Sequence, residues 1–379
     1  MRSEHSSAGA RRVAFAWFLA IAAACSSQSG HLDRTVQQGR ETPSIDADGY
    51  FVLNGARTLL LGAEEPPVWV AFPELRPYPR IADDFARLCR DAGINLIVFY
   101  KWVPWPPAFI ERLGQEGIWA GIQVAEAKQP LLSFGQTGGA IGTLPDAAFE
   151  SEQMELIRER VSSYASLSNV AFWWIGGEFV EPFFYLDGGA ALRALLGRYV
   201  GAIRSLDPDR RPITCSQHLL EALLCGPAMG RACLDLSDVV DFQWYTIATH
   251  MHVGDFVPGL PSSLNWQPVL NNLEEPLLLS SLLAKIRDTQ GGKALYLGSW
   301  STMSPKEGPC RPSAELTLGQ WELLRSAGVP FSGGAFWNLG SHVQPSDFPH
   351  GLVELRDGAI AANENMIGLG QAYRATAHR

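Results

Sequence analysis

The sequence predicts an α/β fold, a (β/α)8 barrel in a single domain. Three observations point to it. About eight short runs of apolar, β-branched and aromatic residues alternate with helical patterns along the chain, as in a parallel sheet with helices between its strands. One run, Val170–Ile175, is apolar throughout and leads into Gly176-Gly177-Glu178-Phe179, which reads as a strand buried on both faces. Finally, no GxGxxG or phosphate-loop pattern follows any strand, which argues against a nucleotide-binding, doubly wound sheet.

Taken in order, Gly49-Tyr50-Phe51-Val52-Leu53-Asn54-Gly55 predicts a hairpin, because Asn-Gly between apolar runs favours a tight turn. Thr58–Gly62 predicts the first barrel strand. Asp83 and Asp84 open a helix with Phe85, Leu88 and Cys89 on one face, and Gly93 stops it. Strands follow at Ile94–Tyr100 and Ile118–Val124, with a short helix near Ala108–Gln115 between them. A Gly- and Pro-rich loop covers residues 129–145. Met154, Ile157, Val161 and Tyr164 mark a helix leading into Val170–Ile175, and Leu192, Leu195, Leu196, Tyr199 and Ile203 mark the next. Further strands are predicted at Pro212–Ser216, Val239–Tyr245, Ala294–Gly298 and Phe331–Trp337. Helices are expected near Pro276–Thr289, Leu316–Ala327 and Asn363–Ala375, with a long loop at 248–273.

Composition bounds the function. With 46% hydrophobic and 18% charged residues the chain is globular rather than disordered, and 379 residues suffice for one large barrel. A net charge of -9, with no basic cluster outside the extreme N-terminus, excludes nucleic acid as a partner. Twelve Trp, 18 Phe and 9 Tyr supply aromatics for a core or for a cleft that stacks sugar rings.

Residues 1–24 read as a signal peptide: Arg2, Arg11 and Arg12 precede the apolar stretch Val13–Ala24, which is too short to span a bilayer. Ala22-Ala23-Ala24-Cys25 is similar to a bacterial lipobox, with Ala22 where that motif usually has Leu, and marks Cys25 for lipidation. The expected product is an exported envelope lipoprotein, periplasmic or at the surface, that touches membrane only through this anchor. Cleavage after Ala24 by an ordinary signal peptidase would instead secrete it. Arg11-Arg12 adds a weak twin-arginine hint. Residues 25–45 read as a flexible tether and 46–379 as the folded domain. Of six cysteines, Cys225 and Cys233 are spaced for a local disulfide in an oxidising compartment, and Cys89 reads as core. No Cys or His spacing suggests a metal, and no cofactor motif occurs.

In a barrel of this class the chemistry lies at the C-terminal strand ends. Those ends carry Glu64 and Glu65, Lys101 and Trp102, Glu126, Glu178, His218, Trp244 and Tyr245, Ser299 and Trp300, and Trp337 and Asn338. Carboxylates and aromatics dominate, as binding hydroxyls and stacking pyranose rings would require. Trp173 and Trp174 are expected in the core, and Trp300 and Trp337 in a cleft.

The order of these segments resembles the (β/α)8 glycoside hydrolases related to cellulases, mannanases and β-galactosidases. The likeness covers about residues 49–375. It is carried by Gly49–Gly55 with Leu60-Leu61-Gly62, by Ala92-Gly93-Ile94-Asn95-Leu96-Ile97 and by Tyr164–Glu178. It continues in Asp207–Pro212, Val240–Tyr245, Lys293–Trp300 and Gly333–Trp337. The resemblance implies a role for Glu178 as general acid/base, its pKa raised by the apolar strand behind it. It further implies binding of oligo- or polysaccharide, with Trp102, His218, Tyr245, Trp300 and Trp337 as substrate-binding residues.

The chain departs from the family pattern at three places. Gly177 stands where an asparagine precedes the acid/base, Val98 stands at the second-strand arginine, and Ser299 occupies the position of the nucleophilic glutamate. Retaining hydrolysis needs carboxylates about 5–5.5 Å apart and inversion about 6.5–9.5 Å. A serine without an activating base does not replace one of them, and no GxSxG elbow surrounds Ser299. Glu64 or Glu65 is the better source of a second carboxylate, ahead of Glu126 and of Asp241, which reads as packed inside a strand. Three functions remain open: hydrolysis of a β-linked glycan, glycan binding by a catalytically inactive protein through the same aromatic cleft, and, behind these, a barrel enzyme of another chemistry, which a metal or phosphate in the mouth would support.

Overall fold

The computed structural model describes residues 41–64, 66, 68–71, 81–127, 129–130, 142–143, 145–176, 190–215, 217–218, 236–245, 276–289, 291–301, 314–336, 352–356 and 359–377. The chain enters through a small antiparallel sheet of β1 (Ser44–Ile45), β2 (Phe51–Leu53) and β3 (Ala56–Thr58). Asn54 and Gly55 turn between β2 and β3 with φ of 51° and 75°, both left-handed, as a two-residue hairpin turn of matching twist requires. Ser44 and Ile45, assigned by sequence to the tether, pair with Val52 and Phe51 and so belong to the folded unit.

The main sheet is parallel throughout. Its strands are β4 (Leu60–Glu64), β5 (Leu96–Phe99), β6 (Trp119–Glu126), β9 (Val170–Gly176), β10 (Ile213–Cys215), β11 (Gln217–His218), β12 (Val240–Tyr245), β13 (Leu295–Ser301) and β14 (Phe331–Phe336). The order is β10-β9-β6-β5-β4-β14-β13-β12-β11. Its two edges, β10 and β11, are successive stretches of chain separated by residue 216 alone. The sheet is strongly curled: Phe172 of β9 and Tyr296 of β13, far apart in strand order, bring their ring centroids to 5.7 Å across the concave face.

Helices α1 (Val68–Ala71) and α2 (Ile81–Asp91) lie between β4 and β5, and α3 (Pro107–Gln115) lies between β5 and β6. Then come α4 (Ala147–Tyr164) before β9 and α5 (Ala190–Leu206) before β10. The helices α6 (Pro276–Thr289), α7 (Ala314–Ser326) and α8 (Glu364–Ala377) precede β13, precede β14 and close the chain. Among the described residues the alternation read from sequence is present apart from the step from β11 to β12, with ends within a few residues. Two short pairings were not anticipated. β7 (Gln129–Pro130) meets β8 (Gly142–Thr143) inside the expected 129–145 loop, and β15 (Val353–Arg356) pairs with β16 (Ala359–Ala362). Two-residue strands and the sequence Ala-Ile-Ala-Ala give almost no β signal.

The strand period of two divides the core. Leu61, Ala63, Ile97, Phe99, Ile122, Trp173, Ile175 and Leu297 face the helices. Leu60, Leu96, Val98, Phe172, Trp174, Tyr296 and Ala335 fill the concave side together with Phe51 and Leu53 of the hairpin. Trp173 and Trp174 are therefore core residues, on opposite faces, as expected. Phe51 packs at 5.6 Å on both Phe172 and Tyr296. Ala294, just before β13, donates its N–H to Asp48 O at 2.7 Å. The hairpin therefore closes the N-terminal end of the curled sheet.

Several motif residues are architectural pins. Asn95 accepts from Leu61 N–H and donates to Leu59 O, tying β4 to the entry of β5. Asn169 donates to Ile110 O and Ile118 O. Asp207 accepts from Trp173 Nε1 at 2.8 Å and from Arg211 Nη1 at 2.6 Å, both partners buried, and so locks α5 to β9 and β10. Cys89 and Cys215 are buried free thiols, their pKa values pushed up by burial. Cys225, Cys233 and the predicted 248–273 loop lie outside the described residues.

Candidate functional site

The C-terminal ends of β4, β5, β6 and β9 bring together a cluster of polar and aromatic side chains. Glu64 ends β4 and is fully buried, because the strand period turns it to the concave face behind Leu60 and Gly62. Tyr100, one residue past β5, donates its hydroxyl to Glu64 Oε2 at 2.6 Å. The Tyr100 ring meets Trp174 edge-on at 4.9 Å and lies nearly parallel to Trp102, with centroids 6.5 Å apart. Gln123 on β6 accepts from Lys101 N–H at 3.0 Å. Gly176 at the end of β9 leaves room for that amide, since a Cβ there would sit 2.1 Å from Gln123 Nε2.

Beside this cluster, Lys101 Nζ lies 2.7 Å from Glu126 Oε2 and 4.9 Å from the Trp102 ring. Arg160 of α4, almost wholly buried, donates to the carbonyls of Tyr100, Lys101 and Val103. Gln153 of the same helix accepts from Glu126 N–H at 2.9 Å. The turn after β5 is thereby fastened to α4.

Deeper on the concave face, buried Asp241 of β12 accepts from Thr214 Oγ1 of β10. Asp241 is packed within its strand, as the sequence suggested. Burial raises the pKa of Tyr296 well above its ordinary value, and the negative charges of Asp241 and Glu64 add to the shift. The phenol thus stays protonated between two carboxylates. Tyr373 of α8 donates to Gly62 O at 2.7 Å from the helix side, and its pKa is likewise raised, first by burial.

The predicted site residues divide clearly. Glu64 and Trp102 lie in this cluster, Trp102 being 56% exposed. His218 lies in β11, Tyr245 ends β12 and Ser299 lies in β13, paired with Gln243. Glu178, Glu65, Trp337 and Cys25 lie outside the described residues. Trp300 requires correction. It does not line a cleft but is fully buried on the helix side, 5.2 Å from Trp321 and 4.9 Å from Phe336. The cause is a register irregularity in β13 between Leu297 and Trp300, which reverses the alternation that a regular strand would keep. Tyr100, Gln123 and Arg160 were not singled out from sequence. Tyr100 reads there as a strand end, so only its position beside Lys101-Trp102 carried a signal.

No protein-family model matches the chain, and no curated protein matches it. Solved structures do. An exo-β-1,4-mannosidase from an Opitutaceae bacterium superposes with a TM-score of 0.60 at 16% identity over 89% of this chain. The fold is glycoside hydrolase-like. A β-glucuronidase from Ruminococcus gnavus matches with a TM-score of 0.59 at 14% identity over 88% of the chain. An endo-β-1,4-mannanase from Thermotoga petrophila matches at 0.54 and 13% over 85%. The chain spans 62% of the mannosidase, 53% of the glucuronidase and 77% of the mannanase. In (β/α)8 barrels the C-terminal strand ends carry the chemistry, and Glu64, Tyr100 and Trp102 gather at the C-terminal strand ends here.

Proposed function

We propose that the curled sheet closes as a (β/α)8 barrel and that the chain is an exported protein hydrolysing β-linked glycan at the C-terminal end of that barrel. In this reading Glu178 is the general acid/base and Glu64 the second carboxylate, ahead of Glu65. Ser299, at the nucleophile position of the resembling family, supplies no carboxylate. The observation that carries the reading is the Tyr100–Glu64 hydrogen bond at 2.6 Å, which holds a buried carboxylate at a strand end. A donor aimed at an ionised carboxylate stabilises its charged form. Cleavage of a glycosidic bond needs such a carboxylate to support the oxocarbenium-like transition state, while a protonated partner gives its proton to the leaving oxygen. Trp102, His218, Tyr245 and Trp337 would contact the sugar rings. Export rests on residues 1–24, and an anchor on Cys25 would hold the protein at the cell envelope.

The test is hydrolysis of a panel of β-glucans, β-mannans and β-glycosides by the wild type, Glu178→Gln and Glu64→Gln. Both variants should lose at least about a hundredfold in kcat/KM, the scale of general acid–base catalysis. Full activity in Glu178→Gln removes the acid/base assignment, and full activity in Glu64→Gln moves the second carboxylate elsewhere.

A second reading, a glycan-binding protein without hydrolysis, is favoured by one specific feature, Ser299 at the nucleophile position. Binding of a panel member that is never cleaved would select it.

A further inference from the structure

We infer that the Tyr100–Val103 turn is a rigid platform for the ring of a neutral sugar, and that the Lys101–Glu126 ion pair beside it discriminates against uronic acids. This rests on the glycan reading above and names the substrate class for that site.

The platform is Trp102. At 56% exposed it is one of two large apolar side chains open to solvent among the described residues. A lone exposed aromatic on a loose turn would need no explanation. This one stands on a turn held from several sides. Arg160, 4% exposed, gives its donors to the carbonyls of Tyr100, Lys101 and Val103. Gln123 holds Lys101 N–H, and Tyr164 Oη donates to Trp105 O at 2.7 Å. A buried guanidinium that satisfies three carbonyls of one turn stabilises the fold and at the same time fixes the backbone under the exposed tryptophan. The consequence for binding is preorganisation: a ring that does not move loses little entropy when a ligand stacks on it. The apolar C–H face of a pyranose offers such a ligand, and the indole offers a flat, polarisable face to meet it.

The ion pair decides which pyranose. The side chains of Lys101 and Glu126 are 10% and 11% exposed, and the ammonium is 4.9 Å from the Trp102 ring centroid. A hydroxyl can accept from the ammonium and donate to the carboxylate, so a neutral sugar is matched to the pair. A uronate carboxylate is not. It would meet a cation already neutralised at 2.7 Å and a second carboxylate beside it, and a like-charge approach of this kind rejects a ligand. Removing the charge of Glu126 should therefore turn the site toward acidic sugars, because Lys101 would then stand unmatched.

Calorimetric binding to the full chain tests this, in a Glu178→Gln background that keeps ligands intact. The probes are β-1,4-mannohexaose, cellohexaose and the C6-oxidised counterpart of each. At least one neutral hexamer should bind, and its oxidised counterpart should bind about tenfold or more weakly. Trp102→Ala should weaken the neutral ligand by about tenfold at unchanged melting temperature, because the side chain is exposed. Glu126→Gln should narrow or reverse the preference, and Lys101→Met should not. The inference is overturned if neither neutral hexamer binds, if the oxidised forms bind equally well, if Trp102→Ala binds normally, or if the two ion-pair variants shift preference alike. Should Glu126→Gln fail to fold, Trp102→Ala and Lys101→Met still decide. Failure of the hydrolysis reading looks different: the wild type binds with this preference but releases no sugar. Cleavage that is indifferent to Trp102→Ala would sink the platform alone.

Discussion

Gly298 makes room for Asp241. A Cβ at position 298 would lie 1.8 Å from Asp241 Oδ1, and the carboxylate is held there by Thr214. Side chains and backbone of β10, β12 and β13 thus meet around one buried charge. Gly298→Ala should destabilise the fold by about 1–3 kcal/mol in urea unfolding, the usual cost of overpacking. Adding Asp241→Ala should recover part of that loss, because the clash and the charge share one space. Strict additivity of the two changes would show that they do not compete for it.

Tyr100→Phe removes the hydroxyl that Glu64 accepts while keeping the ring against Trp174. A hydrogen bond to a charged group contributes about 1.5–3 kcal/mol. If Glu64 is the second carboxylate, kcat/KM should fall by roughly tenfold to a hundredfold with the fold intact by circular dichroism. An unchanged kcat/KM would separate Tyr100 from the chemistry.

Arg160→Met leaves the carbonyls of Tyr100, Lys101 and Val103 without their buried donor. The expected loss is about 2–4 kcal/mol of stability, from unsatisfied buried acceptors. The turn should also loosen, which acrylamide quenching of tryptophan fluorescence would report. Equal quenching in wild type and variant would mean that Arg160 does not hold Trp102.

Four tyrosines, Tyr164, Tyr199, Tyr296 and Tyr373, have pKa values raised above the ordinary phenol range, in each case first by burial. The sign follows directly. The folded state holds these protons more tightly than the unfolded state, so the associated stability is present below about pH 10 and is lost as pH rises beyond it. Absorbance at alkaline pH should show these phenols ionising only together with unfolding. Smooth ionisation of all 9 tyrosines before any change in circular dichroism would contradict it.

Much of the architecture could be read from the sequence because burial leaves a period. Val170–Ile175 is apolar at every position since its side chains meet helices on one face and the concave core on the other. Asn54-Gly55 could be read because its turn demands left-handed backbone. The site was less legible, for two physical reasons. First, the residues that carry the family resemblance include structural pins: Asn95, Asn169 and Asp207 bond backbone and neighbouring helices rather than facing the cluster. Second, a strand irregularity has no sequence signature. Trp300 follows its strand in the expected order yet faces the helices, because the register shift before it changes which side it takes. Arg160 shows the same limit on a helix, where only the tertiary fold reveals that its guanidinium is buried against the turn after β5.

The hairpin that seals the N-terminal end of the sheet also gives the molecule a direction. Phe51 sits against Phe172 and Tyr296, and the backbone of Asp48 is bonded to the entry of β13, so the leading segment is fixed at one pole. Glu64, Tyr100 and Trp102 gather at the other. Whatever is joined ahead of the hairpin therefore enters the fold at the pole away from Trp102.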